Sequence, residues 1–232
     1  MFDDAAMLVR MTAVTPADLP PPEPVRDLDL APRQLRLVDD PDVAPSFDRT
    51  FTGTRHVPLS RGAWVDVTPG FVAGAEALFE TVASAADWHV QHMVMFEQVV
   101  RCPRLSTSWT LAELPSELSL LRAMAAALSQ RHRVALTRVS ANLYRDGRDA
   151  VAWHGDRGAR DVATATVAVL TLGATRPFRL RERDGRGHVE LAPASGDLLV
   201  MGGSCQRTWQ HAVPRVADAG ARISVMFRPA TW

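Results

Sequence analysis

Residues 221–229 read ARISVMFRP. In an extended chain successive side chains point to opposite faces, so Arg222, Ser224, Met226 and Arg228 share one side while Ile223, Val225 and Phe227 share the other. The apolar row demands a core. The opposite row aims two guanidiniums and a hydroxyl the same way, and on an edge strand such cations are commonly a solvated face. Held inside a sandwich they need an anionic partner, because burying an unpaired charge costs on the order of several kcal/mol. A small dicarboxylate would satisfy both. Arginine suits that task, since its planar fork pairs bidentately with a carboxylate and keeps its proton.

Working outward from this strand, the chain keeps a period of two or short β-branched runs from Val134 onward: VALTRVSANLY (134–144), VATATVAVLTL (162–172), PFRLRER (177–183), GHVEL (187–191) and DLLVM (197–201). Asp146-Gly147 and Asp184-Gly185 supply turn signals between them. Six or more short strands within about 95 residues predict an antiparallel sandwich or jelly roll. Ahead of them, Phe71, Ala75, Leu78, Phe79 and Val82 have helical spacing, so a helix is expected from Phe71. A second is expected over 115–132, with Pro115 in its first turn and Leu118, Leu121, Ala125 and Leu128 as its apolar stripe. The fold class is therefore mainly β with flanking helices (α+β). Residues 1–50, which include Pro20-Pro21-Pro22, read as an irregular N-terminal arm that is partly disordered or wraps the domain, and residues 51–232 as the domain.

The 232 residues carry 26 basic and 26 acidic side chains, a balance that argues against a simple basic coat for nucleic acid but leaves room for a local basic face. No apolar run has the length needed to cross a bilayer, and no signal-like segment opens the chain, so a cytoplasmic protein without membrane contact is expected. Cys102 and Cys205 are too few for a disulfide framework and lack structural-zinc spacing.

The polar residues fall in an ordered series. AWHGDRGARD (152–161) sets His154 and Asp156 two apart, so both can face one cation, although a solvated loop reads the same way. His211, in TWQHAVPR (208–215), is the candidate third ligand. Two histidines and one carboxylate with open positions suit non-haem Fe(II) that must bind a cosubstrate and O2. Asn142 and Tyr144 also share one strand face, opposite Val139, Ala141 and Leu143, and can reach the same small acid; a core tyrosine is the structural alternative.

From about Met93 to Pro229 this series resembles the AlkB family of Fe(II)- and 2-oxoglutarate-dependent dioxygenases. The residues that carry it are Asn142, Tyr144, Gly147 and Asp149, then His154 and Asp156, LGATRPFRLR (172–181), GDLLVMGG (196–203), His211 with Val213-Pro214, and Arg222 to Arg228. The resemblance implies a double-stranded β-helix (jelly roll) holding Fe(II) through His154, Asp156 and His211. It places Asn142 and Arg228 near the keto-carboxylate end of 2-oxoglutarate and Tyr144 and Arg222 at the distal carboxylate, with Ser224 where relatives carry an asparagine. The implied reaction consumes O2 and 2-oxoglutarate, hydroxylates an N-alkyl carbon of a nucleobase in DNA or RNA, and releases succinate, CO2 and an aldehyde; separately, a monomer is expected. CPRLSTSW (102–109) resembles the segment that ends in an aromatic near the substrate channel, here Trp109. Met95-Phe96 lies where relatives carry a duplex-probing loop, and an apolar wedge there could fill the gap left by an extruded base, with burial in the core as the favoured structural alternative. Arg179, Arg181 and Arg183 alternate on one strand face and, with Arg157 and Arg160, could form a basic rim for phosphates; a solvated arginine face explains the strand equally well.

One position departs from the family pattern. Many base-repairing members carry a second acidic residue soon after H-x-D, whereas Arg157, Gly158, Ala159 and Arg160 follow Asp156 here. A 2-oxoglutarate-dependent oxygenase acting on a protein side chain or small molecule is therefore the alternative reading. A Zn(II) hydrolase leaves the arginine pair unexplained, and a metal-free binding module leaves the ligand series unexplained.

Overall fold

The computed structural model describes residues 19–25, 28–30, 43–95, 97–159 and 161–230. Two antiparallel sheets face each other, with helices packed on the outer side of the larger one. Strands are numbered in chain order. The larger sheet runs β1 (Glu23–Val25), β6 (Trp88–Met95), β7 (Gln98–Thr110), β8 (Arg138–Tyr144), β15 (Arg222–Arg228), β10 (Val167–Gly173), β13 (Leu198–Gly203), β4 (Ala63–Thr68), β3 (Arg55–Pro58). The smaller runs β12 (His188–Leu191), β11 (Phe178–Glu182), β14 (Trp209–Val213), β9 (Val151–His154).

Side-chain parity explains the layers. On β10 all seven residues are buried. Ala168, Leu170 and Leu172 join the helix-side core, and Val167 and Val169 join the core between the sheets. A strand covered on both faces needs apolar residues at both parities, which is why VAVLTLG shows no alternation. β15 lies beside it and follows the parity read from its sequence. Ile223, Val225 and Phe227 enter the helix-side core, while Arg222, Ser224 and Met226 face the space between the sheets.

Helix α1 (Ala75–Ala85) begins four residues later than the apolar spacing suggests. Val72–Ala73 instead forms β5, paired with β2 (Ser46–Phe47), and Gly74 turns the chain with φ 66°. A side chain on Gly74 would run into the backbone of Val43, Ala44 and Pro45, so glycine is required both for its left-handed backbone and for the close approach of that strap. Phe71 is still core, stacked on Phe51 at 5.3 Å, but as part of a turn and not a helix. The second helix, α2 (Ser119–His132), is entered through a 3-10 turn (Ser116–Leu118) after Pro115. Leu118, Leu121, Ala125 and Leu128 are fully buried as the stripe predicted, each leucine contributing about 2 kcal/mol of apolar burial.

Strands also precede the period-two region that the sequence marks from Val134 onward: residues 55–110 supply β3, β4, β6 and β7, and β7 is half-buried along much of its length, so its apolar signal is diluted. Most of the proline-rich arm lies outside the described residues. Its described parts are built into the sheets, as β1 on the edge of β6 and β2 on β5. Among the described residues no helix is long and apolar enough to cross a membrane.

Candidate active site

β9 and β14 are the neighbouring strands that matter most. Their register sets His154 directly opposite His211, with ring centroids 4.1 Å apart. A bulge between Val151 and His154 turns both rings to the inner face, where Phe178 stacks on His211. Asp156 follows two residues after His154. The donor atoms of His154, Asp156 and His211 lie within 4.8 Å of one another, close enough for one metal ion to bridge all three.

Their environment favours the ligand forms. Burial pushes the His211 pKa well below its ordinary value, helped by nearby His154 and Arg228, and burial also lowers that of His154. Both rings are therefore neutral at neutral pH, as metal binding needs. His154 Nδ1–H donates to the Ala152 carbonyl at 2.9 Å, leaving Nε2 as the free donor. Asp156 is 8% exposed, and its Oδ2 has no hydrogen-bond partner although Arg228 Nε lies 3.3 Å away. Its backbone N–H donates to Gln206 Oε1 at 3.0 Å.

Farther along the inner face lies a second demand. Arg222 is fully buried, donates to Thr171 Oγ1 at 3.0 Å and to Ser224 Oγ at 3.4 Å, and leaves Nη1 without any partner. Burial pulls its pKa down to about 10, so it is still a cation at neutral pH. Tyr144 sits opposite Arg222 in the β8–β15 register, and burial raises its pKa, so it is held as a phenol. Asn142 sits opposite Ser224. An unpaired buried guanidinium beside a phenol and hydroxyls is the environment for a carboxylate. The two arginines of β15 do not converge: Arg228 lies by Asp156 at one end of the strand and borders the cleft, and Arg222 is buried at the other end. The donor set and the orphaned Arg222 Nη1 both fit a metal plus a small diacid.

A cleft of about 1630 Å³ opens onto this cluster. Its floor is the inner face of β7 and β8, where Ser106 is opposite Asn142 and Ser108 is opposite Ser140. Six arginines line it, Arg101, Arg104, Arg138, Arg179, Arg215 and Arg228, against three carboxylates, Asp87, Glu113 and Asp156. Trp109 borders the cleft but is 9% exposed and packs into the helix-side core. Arg179 lines the rim and pairs with Glu190 at 2.6 Å. Arg181 lies over Trp153 at 4.4 Å and donates to Gln210, which ties it to the sheet surface. Phe96, Arg160 and the side chain of Arg157 lie outside the described residues.

Some contributors escaped sequence reading. Arg104, Ser106 and Ser108 alternate on β7, a signal available only once that segment is read as a strand. Arg176 is fully buried and donates to the carbonyls of Asp146, Asp149 and Pro214, tying the turn after β8 to the end of β14. Gln206, on the short helix α3 (Cys205–Thr208), has no sequence signal, because its partner is 50 residues away.

Residues 74–228 match the 2OG-Fe(II) oxygenase superfamily, and the chain belongs to it. The cofactors of that class are Fe(II), 2-oxoglutarate and O2, and the protein is an oxidoreductase of that type. Within it the chain falls in the AlkB family. It is 28% identical over 184 residues to the alpha-ketoglutarate-dependent dioxygenase alkB homolog 3 of Homo sapiens, covering 69% of this chain and 64% of that one. It is 32% identical over 111 residues to the DNA oxidative demethylase ALKBH2 of Arabidopsis thaliana, covering 38% and 35%. The chain thus spans less than two thirds of the length of these relatives. A 2OG-Fe(II) oxygenase family oxidoreductase from Burkholderia pseudomallei shares the fold at TM-score 0.51 and 16% identity, over 71% of this chain and 84% of that one.

Proposed function

We propose that the protein removes alkyl groups oxidatively from N-alkylated nucleobases in DNA or RNA. The observation that carries this reading is the arginine-rich cleft lined by His154 and Asp156, two of the three donors of the cluster. A groove with twice as many guanidiniums as carboxylates suits a phosphate backbone, in a chain whose net charge is zero. The relatives named as dioxygenases and DNA demethylases support the same substrate class.

His154, Asp156 and His211 would hold Fe(II), and Asn142, Tyr144, Arg222, Ser224 and Arg228 would hold 2-oxoglutarate. When bound, these supply O2-dependent oxidation of the N-alkyl carbon, with succinate, CO2 and an aldehyde as products. The chain's own part is positional and electrostatic. Two neutral imidazoles and one carboxylate would hold the ion by three donors and leave room for cosubstrate and O2. Arg222 would pair with the far carboxylate and the Tyr144 hydroxyl would donate a hydrogen bond to it, while Arg228, 3.3 Å from Asp156, offsets that carboxylate's charge. The hydroxyls of Ser106, Ser108 and Ser140 offer hydrogen bonds to a heterocycle laid on the cleft floor.

A second reading, oxidation of a protein side chain or small molecule, rests on the absence of a carboxylate at Arg157, Gly158, Ala159 and Arg160. Incubation with Fe(II), 2-oxoglutarate and N-methylated single-stranded DNA or RNA separates the two. Formaldehyde formed in step with succinate is the expected result. Succinate formed without loss of the methyl group would turn the assignment to the second reading.

A further inference from the structure

Asp156 sits on a turn, and a carboxylate on a turn needs something to aim it. Its Oδ2 accepts no hydrogen bond among the described residues, although Arg228 Nε stands 3.3 Å away as an ion pair. Its carbonyl accepts from the Ala159 N–H at 3.1 Å within the turn, and its backbone N–H donates at 3.0 Å to Oε1 of Gln206, a residue only 1% exposed, which is the bond that ties the turn to another element. The carbonyl of the same glutamine covers Gly155, where an added Cβ would lie 2.5 Å from that oxygen. Gln206 therefore touches the His154-Gly155-Asp156 turn twice, once by side chain and once by backbone. Its own helix, α3, runs directly into β14, the strand that carries His211. At its other end α3 is tied down by Ser204, whose hydroxyl donates to the Arg61 carbonyl at 2.7 Å.

We infer that Gln206 is a positioning residue for the metal site: its side-chain amide latches the Asp156 turn to the element bearing His211, so that the three donors stand in register before any ion arrives. The inference rests on the reading of His154, Asp156 and His211 as the metal ligands. The physical reason is that β9 ends at His154, so beyond that residue no ladder hydrogen bond fixes the chain. A buried amide oxygen receiving the Asp156 N–H replaces the missing ladder partner. Groups that orient ligands in this way typically change metal affinity by about 10- to 100-fold when removed.

The test compares Co(II) binding to the full chain, in the absence of O2, by calorimetry and by the visible absorption of the bound ion. Gln206→Leu keeps similar bulk and removes the acceptor. Its Kd for Co(II) is expected to rise by about 10-fold or more, with an altered absorption band. Ser204→Ala loosens the opposite end of α3 without touching Asp156. It is expected to lower the thermal midpoint while leaving the Kd within about 2-fold, below the range of lost ligand orientation. Should Gln206→Leu fail to fold, Gln206→Asn, which withdraws the oxygen by one methylene, carries the same expectation. An unchanged Kd in the Gln206 variant, or an equal loss in Ser204→Ala, would overturn the inference while leaving the metal site intact. Failure of the wild type to bind Co(II), or binding unaffected by His154→Ala, would overturn the ligand reading and this inference with it.

Discussion

Replacing Arg222 with methionine tests the site at its most exposed physical assumption. In the protein without ligand, Arg222 is a fully buried cation, pulled down to about 10 by burial, with Nη1 unpaired. Methionine would lose the bonds to Thr171 and Ser224 but also the cost of holding that charge away from water, so unliganded stability should stay within about 1 kcal/mol of wild type. Ligand binding should behave very differently. Removing one partner of a buried, hydrogen-bonded charge pair costs about 2–5 kcal/mol, and a middle value of about 3 is roughly a hundredfold in Kd. In thermal unfolding with Mn(II) present, 2-oxoglutarate at about 100 times the wild-type Kd should stabilise the wild type by about 2.7 kcal/mol and the variant by only about 0.4. Equal stabilisation of the two proteins by 2-oxoglutarate would refute the reasoning. So would a variant that loses several kcal/mol before any ligand is added, because Arg222 would then be a structural residue.

Three further outcomes are expected. Gly155→Ala forces a Cβ against the Gln206 carbonyl at 2.5 Å, so the ligand turn must shift and metal affinity should drop by about tenfold or more, read as metal retained per protein after dialysis. Arg138→Gln removes one exposed guanidinium from the cleft, and the slope of log affinity against log salt for single-stranded DNA should become shallower by about 0.7; an unchanged slope would show that no phosphate sits there. His132, stacked on Trp64, has its pKa held by burial below the ordinary 6.5, so the unfolded chain takes up a proton that the folded chain resists. Its contribution to stability is complete above about pH 6.5 and is lost as pH falls toward the folded value, so His132→Phe should lose less stability than wild type between neutral and mildly acidic pH in denaturant titrations.

Much of this site was readable along the chain because strands repeat every two residues. That period alone separates Arg222, Ser224 and Arg228 from Ile223, Val225 and Phe227, and aligns Asn142 with Tyr144. Helix α2 was equally plain, since four apolar residues at helical spacing followed a proline. Helix α1 was drawn too early, because Phe71 continues the spacing but Gly74, with φ 66°, breaks the backbone that spacing assumes. Strand β7 is hard to read in the sequence because one of its faces is a polar cleft floor, and Trp109 both borders that cleft and packs into the helix-side core.

The order of residues along the chain therefore determined which side chains share a face and, through the series from Asn142 to Arg228, the class of chemistry. It did not determine which faces meet. Only the pairing of β9 with β14 sets His154 against His211, and only the burial of β15 between two layers makes the Arg222 charge unsatisfied. Only the close approach of α3 lets Gln206 hold Asp156. Local periodicity acts between near neighbours, whereas register, burial and buried hydrogen bonds join residues dozens of positions apart, and those are properties of the packed chain.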